Sequence, residues 1–332
     1  MLRRVAALSI GLLAGVALAS CSSSTAPISV GPNFTTLSLY VTNSTQNAIS
    51  IYPPNPNSST APINQIAGQN TQLNGPQYDA FDTSKRLYVS NYNAGTTVGS
   101  ITVYASQATG NVIPVSQIIG GATTIGSARG IALDPSGNIF LANVSNPPLF
   151  TSSILIFPPG SAGNTPPGVI SGNLTGLNAP VGLAIDAASN VYVANAGAGT
   201  IGVFAKGVSG NVAPMITIGG PMTTLQTPTG LSLDPSGNVY VSDVATSRIL
   251  IFAASVIKSK NGNVPPMTSI GGSQTGLSSP TDVKVDSSNR IYVCNGNGKI
   301  LVFPAGLTGN VNVPPSVTIT PPGNVIGLAF SP

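Results

Sequence analysis

The acidic side chains available for chemistry in this chain of 332 residues are eight aspartates, because the sequence contains no glutamate. It contains no histidine either, which excludes histidine-based acid–base catalysis and histidine-ligated zinc. Serine and threonine hydroxyls are abundant, but no histidine or glutamate is available to act as their base. What remains is the chemistry of carboxylate and amide oxygens, which bind hard cations such as Ca²⁺ or ligands rich in hydroxyl groups.

Five of the aspartates occupy the same place in a repeated segment of eleven residues. Two copies read LDPSGNIFLAN at 133–143 and LDPSGNVYVSD at 233–243. The aspartate ends an apolar run, and the Pro, Ser, Gly and Asn that follow are typical of a tight turn between two strands. We therefore predict that these five carboxylates cap turns. They are Asp82, Asp134, Asp186, Asp234 and Asp286.

The other three aspartates depart from the repeat. Asp79 and Asp282 are interpreted as replacing the glycine that starts the first strand, and Asp243 replaces the asparagine that ends the second strand. Antiparallel topology brings both positions to one face of the fold. We expect Asp79, Asp282 and Asp243, with Asn91 and Asn295 from the asparagine ring, to form a polar pocket there. Its ligand would be Ca²⁺ or a hydroxyl-rich molecule.

A structural role for the same residues is the alternative interpretation. The asparagines would cap the turns after the second strands, and Asp79 and Asp282 would be solvated or paired with Arg129 or Lys284. The sequence leaves both interpretations open.

The strands that must position these residues recur with a period of about 50 residues. Each unit contains four short apolar segments, and an aromatic residue marks the second. These aromatic residues are Tyr40, Tyr88, Phe140, Tyr192, Tyr240 and Tyr292. The chain starts with a second strand, LSLYV at 37–41, and ends with a first strand, IGLAF at 326–330. We predict an all-β, six-bladed β-propeller with four antiparallel strands per blade and a closing blade shared by the N- and C-terminal strands.

The unit P-x-G-L-x-x-D-x-x-G-N-x-Y-V-x-[ND] resembles the NHL repeat, and the resemblance covers roughly residues 37–332. It implies a propeller family that includes sensors, scaffolds and enzymes. The enzymes it resembles use histidine for catalysis or zinc binding, and the lactonase-type propellers hold Ca²⁺ with a glutamate among the ligands. This chain has neither residue type. The resemblance therefore favours binding over catalysis.

The N-terminus predicts export. Residues 1–20 combine a short basic start with an apolar stretch shorter than a membrane span. Leu18-Ala19-Ser20-Cys21 resembles the lipobox of bacterial lipoproteins, which implies cleavage before Cys21 and its acylation, for example with palmitate. Ser22 favours the outer membrane by the same resemblance. Residues 21–36 would form a flexible tether and 37–332 the propeller. An ordinary secretory signal with an incidental cysteine is the alternative.

The predicted function is that of a non-enzymatic cell-envelope lipoprotein whose propeller binds a protein, glycan or small ligand. The alternative is a Ca²⁺-dependent lyase or lactonase-type enzyme that uses the channel aspartates; a purely structural envelope component is a third reading. No cofactor is expected, except that the enzyme alternative would use Ca²⁺. Loss of Arg3 and Arg4 with the signal leaves a net charge of about +2, so no nucleic-acid partner is expected. We expect a monomer.

The composition also predicts that stability depends little on pH between 3 and 8, because few groups titrate in that range. Cys294 is expected to be a buried free thiol.

Overall fold

The structure, a computed structural model, describes residues 37–93, 98–144, 151–256 and 262–332. In this part of the chain six antiparallel sheets form the six blades of a propeller. The predicted signal peptide (1–20), the acylated Cys21 and the tether (21–36) lie outside the described residues, so they stay predictions.

The strands follow one another in chain order from blade 1 to blade 6. Blade 1 contains β1 (Leu39–Asn43), β2 (Ala48–Tyr52) and β3 (Asn64–Ala67). Blade 2 contains β4 (Pro76–Phe81), β5 (Leu87–Asn91), β6 (Ser100–Tyr104) and β7 (Ser116–Ile118). Blade 3 contains β8 (Ser127–Leu133), β9 (Ile139–Val144), β10 (Ser152–Phe157) and β11 (Gly168–Ile170). Blade 4 contains β12 (Pro180–Ile185), β13 (Val191–Asn195), β14 (Thr200–Phe204) and β15 (Ile216–Ile218).

The last two blades follow the same plan with one addition. Blade 5 contains β16 (Pro228–Leu233), β17 (Val239–Asp243), β18 (Arg248–Phe252) and β19 (Thr268–Ile270). Blade 6 starts with β20 (Asp282–Val285), β21 (Ile291–Cys294) and β22 (Ile300–Phe303). Then β23 (Gly309–Val311) pairs in parallel with β19 of blade 5, and β24 (Val317–Ile319) completes blade 6. Strand β25 (Val325–Phe330) ends the chain, and short 3₁₀ helices span Gln69–Thr71 and Gly121–Thr123.

Both ends of the propeller meet in blade 1, as predicted. Strand β25 pairs antiparallel with β1, with Leu39 opposite Phe330. The sheet order is therefore β25-β1-β2-β3. This closure seals two strand edges that would otherwise expose unpaired backbone groups.

The second and third strands of each blade are buried on both faces, because every blade is covered by a neighbour on each side. All five residues of β1 and all five of β2 are buried. This explains why these strands read as continuous apolar runs rather than as an alternating pattern. The aromatic anchor residues pack into the layers between blades; Tyr192, for example, is 3% exposed.

The turn aspartates cap their turns as predicted. Asp134 Oδ1 accepts hydrogen bonds from the backbone N–H groups of Ser136 and Asn138, both at 2.9 Å. Its Oδ2 accepts from the side-chain amide of Asn138 at 2.8 Å. Asp186, Asp234 and Asp286 repeat the two backbone bonds. These bonds fix the hairpin between the first and second strands.

The Gly-Asn pairs between the third and fourth strands do more than turn the chain. The loop around Gly110 reaches back to the outer strand of the preceding blade, where Ala67 N–H donates to Gly110 O at 3.1 Å. Asn111 Oδ1 then accepts from the Asn70 backbone N–H at 2.9 Å. Equivalent bonds recur around the rim. Each of blades 2 to 6 is thus joined by hydrogen bonds to the preceding blade at the outer edge.

The six innermost strands pack against one another around the central axis. Glycines allow this close approach. A Cβ on Gly130 would lie 2.3 Å from Val181 O, and one on Gly182 would lie 2.1 Å from Thr229 O. The backbone of the next blade therefore occupies the space that a side chain would need.

Candidate functional site: the axial pocket and the buried aspartates beneath it

Asp79 does not stand at the glycine position of the repeat. It lies opposite Val89 in β5, at the place where Leu231 lies opposite Val241 in blade 5. The sequence-based alignment of Asp79 with the repeat glycine is therefore wrong by one residue. Tyr78 holds the glycine position of blade 2, and Asp79 holds a position that other blades give to an aliphatic core residue.

This register explains the surroundings of Asp79. The side chain is 3% exposed, and neither carboxylate oxygen has a hydrogen-bond partner among the described residues. Burial, and after it the charge of Asp282, raises the pKa of Asp79 well above its ordinary value, while Lys284 opposes the shift. Burial and then Asp79 likewise raise the pKa of Tyr40 to about 12. Asp79 therefore favours its neutral form inside an apolar layer.

Asp282 keeps the glycine position of blade 6 and is fully satisfied. Its two oxygens lie 2.9 and 3.0 Å from Lys284 Nζ. Oδ2 also accepts from the Leu328 backbone N–H at 2.9 Å, which ties blade 6 to the closing blade. Burial raises the pKa of Asp282 even though Lys284 and the N–H groups of Leu328 and Val283 act to lower it. The pairing with Lys284 is one of the alternatives that the sequence left open.

Asp282 lies close enough to Asp79 for its charge to raise the pKa of Asp79. Both also act on Cys294, whose buried thiol has a pKa raised first by burial and then by these two charges. Asp79 and Asp282 thus lie near each other, but both are buried rather than exposed in an open polar pocket.

The asparagine positions at the ends of the second strands serve the loops. Asn91 Oδ1 accepts from the Asn74 backbone N–H at 3.1 Å. Asn295 Oδ1 accepts from the Ser278 backbone N–H at 2.8 Å, and its amide group donates to Gly276 O at 2.9 Å. Both side chains are buried and hold the loop that leads into the first strand of their own blade.

Asp243 does the same work in blade 5. One oxygen accepts from the backbone N–H groups of Gln226 and Thr227, at 2.8 and 3.0 Å. The other accepts from the backbone N–H and the hydroxyl of Thr246, at 3.0 and 2.9 Å. The carboxylate accepts all four of these hydrogen bonds, whereas the amide of Asn43, at the equivalent position of blade 1, accepts two and donates two.

An axial pocket of about 240 Å³ opens where the first strands begin. Every blade contributes the residue that precedes its glycine position. These six residues are Gln77, Arg129, Val181, Thr229, Thr281 and Ile326. Tyr78, Val144, Ala179 and Pro180 complete the lining. Asp79 and Asp282 are absent from this lining; each is adjacent in sequence to a lining residue, Tyr78 or Thr281.

Sequence reasoning missed this pocket, although the repeat contains a signal for it. The residue x of the P-x-G unit differs between most blades, while the residue before it is Pro in four blades and the residue after it is Gly in four. A variable position in a regular repeat marks a place that the fold does not constrain. Arg129, considered in the sequence only as a partner for an aspartate, holds this position in blade 3.

Three hydroxyl groups of the pocket already make hydrogen bonds to backbone carbonyl oxygens. Thr229 Oγ1 donates to Pro280 O at 3.1 Å, and Thr281 Oγ1 donates to Ile326 O at 3.1 Å. The Tyr78 hydroxyl reaches the backbone of blade 6 and lies 3.2 Å from Thr281 O.

A larger cavity, of about 1100 Å³, lies elsewhere, among loops of blades 4 to 6. Its one charged lining residue is Arg248, which donates to Ser269 Oγ at 3.0 Å. Two of its lining residues, Gln226 and Thr246, donate hydrogen bonds to the buried Asp243, whose four hydrogen bonds leave it engaged in holding loops. The axial pocket, to which all six blades contribute, is the better candidate site.

In the described part of the chain no three His, Cys, Asp or Glu side chains converge as a metal site would require. Among the same residues no helix is long and apolar enough to cross a membrane.

Comparison with known proteins identifies the repeat and the fold. Residues 225–252, which span β16 to β18, match the model of the NHL repeat. One segment of the chain is thus similar to an NHL repeat, and the fold around it is a six-bladed β-propeller. No curated protein matches it.

Solved structures resemble the chain at low identity. A chain in the crystal structure of the nidogen/laminin complex is 17% identical to this chain and superposes with a TM-score of 0.64. The match covers 90% of this chain and 99% of the chain in the complex. A periplasmic gluconolactonase of Pseudomonas aeruginosa has 16% identity and a TM-score of 0.58, over 89% of this chain and 99% of that one. A protein of unknown function from Bacteroides caccae has 12% identity and a TM-score of 0.60, and the match covers 89% of this chain and 98% of that protein's chain. These likenesses concern the fold alone.

Proposed function

We propose that this protein is a binding propeller of the bacterial cell envelope that takes a small ligand in the axial pocket. The observation that carries the proposal is the pocket itself, in which the six blades place side chains of five different types at one equivalent position. Small-molecule sites are typically concave, mostly apolar and supplied with a few polar groups. The nidogen/laminin complex, which contains a propeller of this fold, is consistent with a binding role.

Filling the pocket tests this function. Val181 lines the pocket and is half-buried, so Val181→Phe adds bulk where a ligand would lie. We expect the variant to lose the binding of small molecules that the wild-type protein selects from a mixed set of neutral and charged compounds in ligand-observed NMR. Val115→Phe, at a position that is 60% exposed at the outer edge, is the control. Equal binding by both variants would contradict the proposal.

Membrane anchoring through Cys21 belongs to the same proposal. Acylation at that residue would hold the propeller on the envelope, for which we propose the outer membrane, because more than one acyl chain gives stable attachment. We expect the N-terminal peptide to carry acyl groups by mass spectrometry and the protein to fractionate with membranes. Cys21→Ala should abolish both properties. A soluble protein with an unmodified Cys21 would favour an ordinary secretory signal.

A Ca²⁺-dependent lyase or lactonase-type activity is the second candidate. The gluconolactonase of the same fold is the observation that favours it, as is the unpartnered carboxyl of Asp79. Against it, both oxygens of Asp282 are already engaged by Lys284 and backbone N–H groups. A cation would therefore have to displace an existing ion pair.

Thermal unfolding in EDTA and in millimolar Ca²⁺ separates the two candidates. A cation that binds only the folded protein stabilises it by about 2.7 kcal/mol at 100 times its Kd. We expect no shift in Tm on adding Ca²⁺. A rise that disappears in the Asp79→Asn, Asp282→Asn double variant would instead support the enzyme.

A further inference from the structure

Among the residues that the structure describes, Arg129 is the one charged residue that lines the axial pocket. It comes from β8, directly before Gly130, and its side chain is half-buried. Its guanidinium carbon lies 5.8 Å from the centre of the Tyr92 ring, a cation–π contact that orients it. In the part of the chain that the structure describes, it has neither a hydrogen bond nor an ion pair.

The other polar groups of the pocket have little donor capacity left. The hydroxyl hydrogens of Thr229, Thr281 and Tyr78 point to backbone carbonyl oxygens. The side-chain amide of Gln77 donates to Gly75 O at 3.1 Å. The uncommitted donors of the pocket are therefore concentrated on the guanidinium of Arg129, which presents five N–H groups in a planar fork.

The buried charges near the pocket do not cancel that of Arg129. The Asp282 carboxylate is neutralised by Lys284 at 2.9 Å. Asp79 favours its neutral form because it is buried without a partner. Arg129 thus brings a positive charge to the wall of the pocket itself, where it attracts anions.

The remaining wall is apolar and the space is small. Val144, Ala179, Pro180, Val181 and Ile326 supply this wall. A volume of about 240 Å³ corresponds to about eight water molecules at 30 Å³ each, and it lies below the range of about 300–1000 Å³ usual for drug-sized ligands. The ligand would be a compact molecule with an apolar body.

We propose that the axial pocket binds small organic carboxylates, with the carboxylate held by the Arg129 guanidinium and the apolar body against Val181 and Ile326. A planar carboxylate matches the guanidinium fork through two parallel hydrogen bonds. The inference rests on the proposed function and adds the chemical class of the ligand to it.

Benzoate and benzamide are suitable probes, because they have nearly the same shape and differ in charge. We expect the wild-type protein to bind benzoate at least tenfold more tightly than benzamide, measured by titration in ligand-observed NMR at low salt. Arg129→Gln should lower benzoate affinity at least tenfold and leave benzamide unchanged. Arg129→Lys should restore part of the affinity, because it returns the charge without the fork.

The matched control is a variant with the same net charge as Arg129→Gln. Arg248→Gln removes one positive charge from a loop cavity away from the axis and should leave benzoate affinity unchanged. Equal thermal stability of the Arg129 and Arg248 variants would show that both are folded. Equal loss of benzoate affinity in both would mean a general charge effect, which overturns the inference.

The remaining outcomes distinguish this inference from the proposed function. Equal affinity for benzamide and benzoate, lost in Val181→Phe, would overturn the carboxylate class and keep the pocket as a ligand site. Failure of benzoate to bind, while Val181→Phe abolishes binding of other compounds, would have the same meaning. Benzoate binding that survives both Arg129→Gln and Val181→Phe would place the anion elsewhere and overturn the inference.

Discussion

Asp282→Ala is expected to destabilise the propeller by about 3 kcal/mol. The substitution leaves the ammonium group of Lys284 without its counter-charge, and it leaves the Leu328 N–H of the closing blade without an acceptor. Breaking a buried pair costs about 3–5 kcal/mol, and the lower end applies because the Lys284 side chain keeps 23% of its exposure. Chemical denaturation at pH 7 measures the loss.

A double variant tests the cause of that loss. Asp282→Ala with Lys284→Met removes both charges, so it should be more stable than Asp282→Ala alone. Lys284→Met alone should be destabilising as well, because it leaves Asp282 buried and unpaired. Simple addition of the two single effects in the double variant would mean that the pair contributes nothing as a pair.

Asp79→Asn has the opposite expected sign: it should stabilise the protein at neutral pH. The raised pKa of Asp79 means that the folded protein holds a proton that the unfolded chain has already lost. The associated stability is fully present below the ordinary aspartate pKa of 3.8. It is lost as the pH rises through the folded-state pKa, at about 1.4 kcal/mol per pH unit. Asparagine has no proton to lose and so escapes this penalty.

The measurement is the free energy of unfolding at several pH values between 4 and 8. The wild-type protein should lose stability as the pH rises, and Asp79→Asn should flatten the curve. A smaller slope of the same sign should remain, because burial also raises the pKa of Asp282. Asp134→Asn, in a turn, is the control for removing one carboxylate. A flat wild-type curve would contradict the assignment of a raised pKa to Asp79.

Asp82 affects the free energy of unfolding at pH values below this range, and its contribution to stability is lost as the pH falls rather than as it rises. Burial works against the shift, but hydrogen bonds from Arg86 and Ser84 and the Arg86 charge lower the pKa of Asp82. Its contribution is therefore present above pH 3.8 and is lost as the pH falls through its folded-state pKa. The composition predicted that stability depends little on pH between 3 and 8, whereas the raised pKa values of the buried Asp79 and Asp282 predict a loss of stability as the pH rises.

The repeat determined the architecture because its signals are local. A turn such as Asp134-Pro-Ser-Gly-Asn specifies its own backbone conformation, and the carboxylate bonds at 2.9 Å confirm it. Four such strand segments per period, with a second strand at one end of the chain and a first strand at the other, leave a closed ring as the arrangement without open edges. The pairing of Leu39 with Phe330 confirms that closure.

The candidate site depended on information that is not local. Sequence placed Asp79 at a glycine position, whereas pairing with Val89 puts it at a core position one residue along the strand. A strand's register depends on its partner, and a shift of one residue moves a side chain to the opposite face. The spacing in the sequence already separates the two, because Asp79 lies three residues before Asp82 whereas Asp282 lies four before Asp286. The fold adds that Asp79 lacks a hydrogen-bond partner among the described residues and that Asp282 has several.

The axial pocket was decided by the tertiary structure in the same way. Residues such as Arg129 and Ile326 are about 200 positions apart in sequence and meet only when the ring closes. What the sequence determined by itself was the hairpin, the blade, the number of blades and the absence of histidine and glutamate chemistry. Which side chains face the axis, and which of them lack partners, follows from packing between blades, because each blade's neighbours, rather than its own residues, decide what is buried.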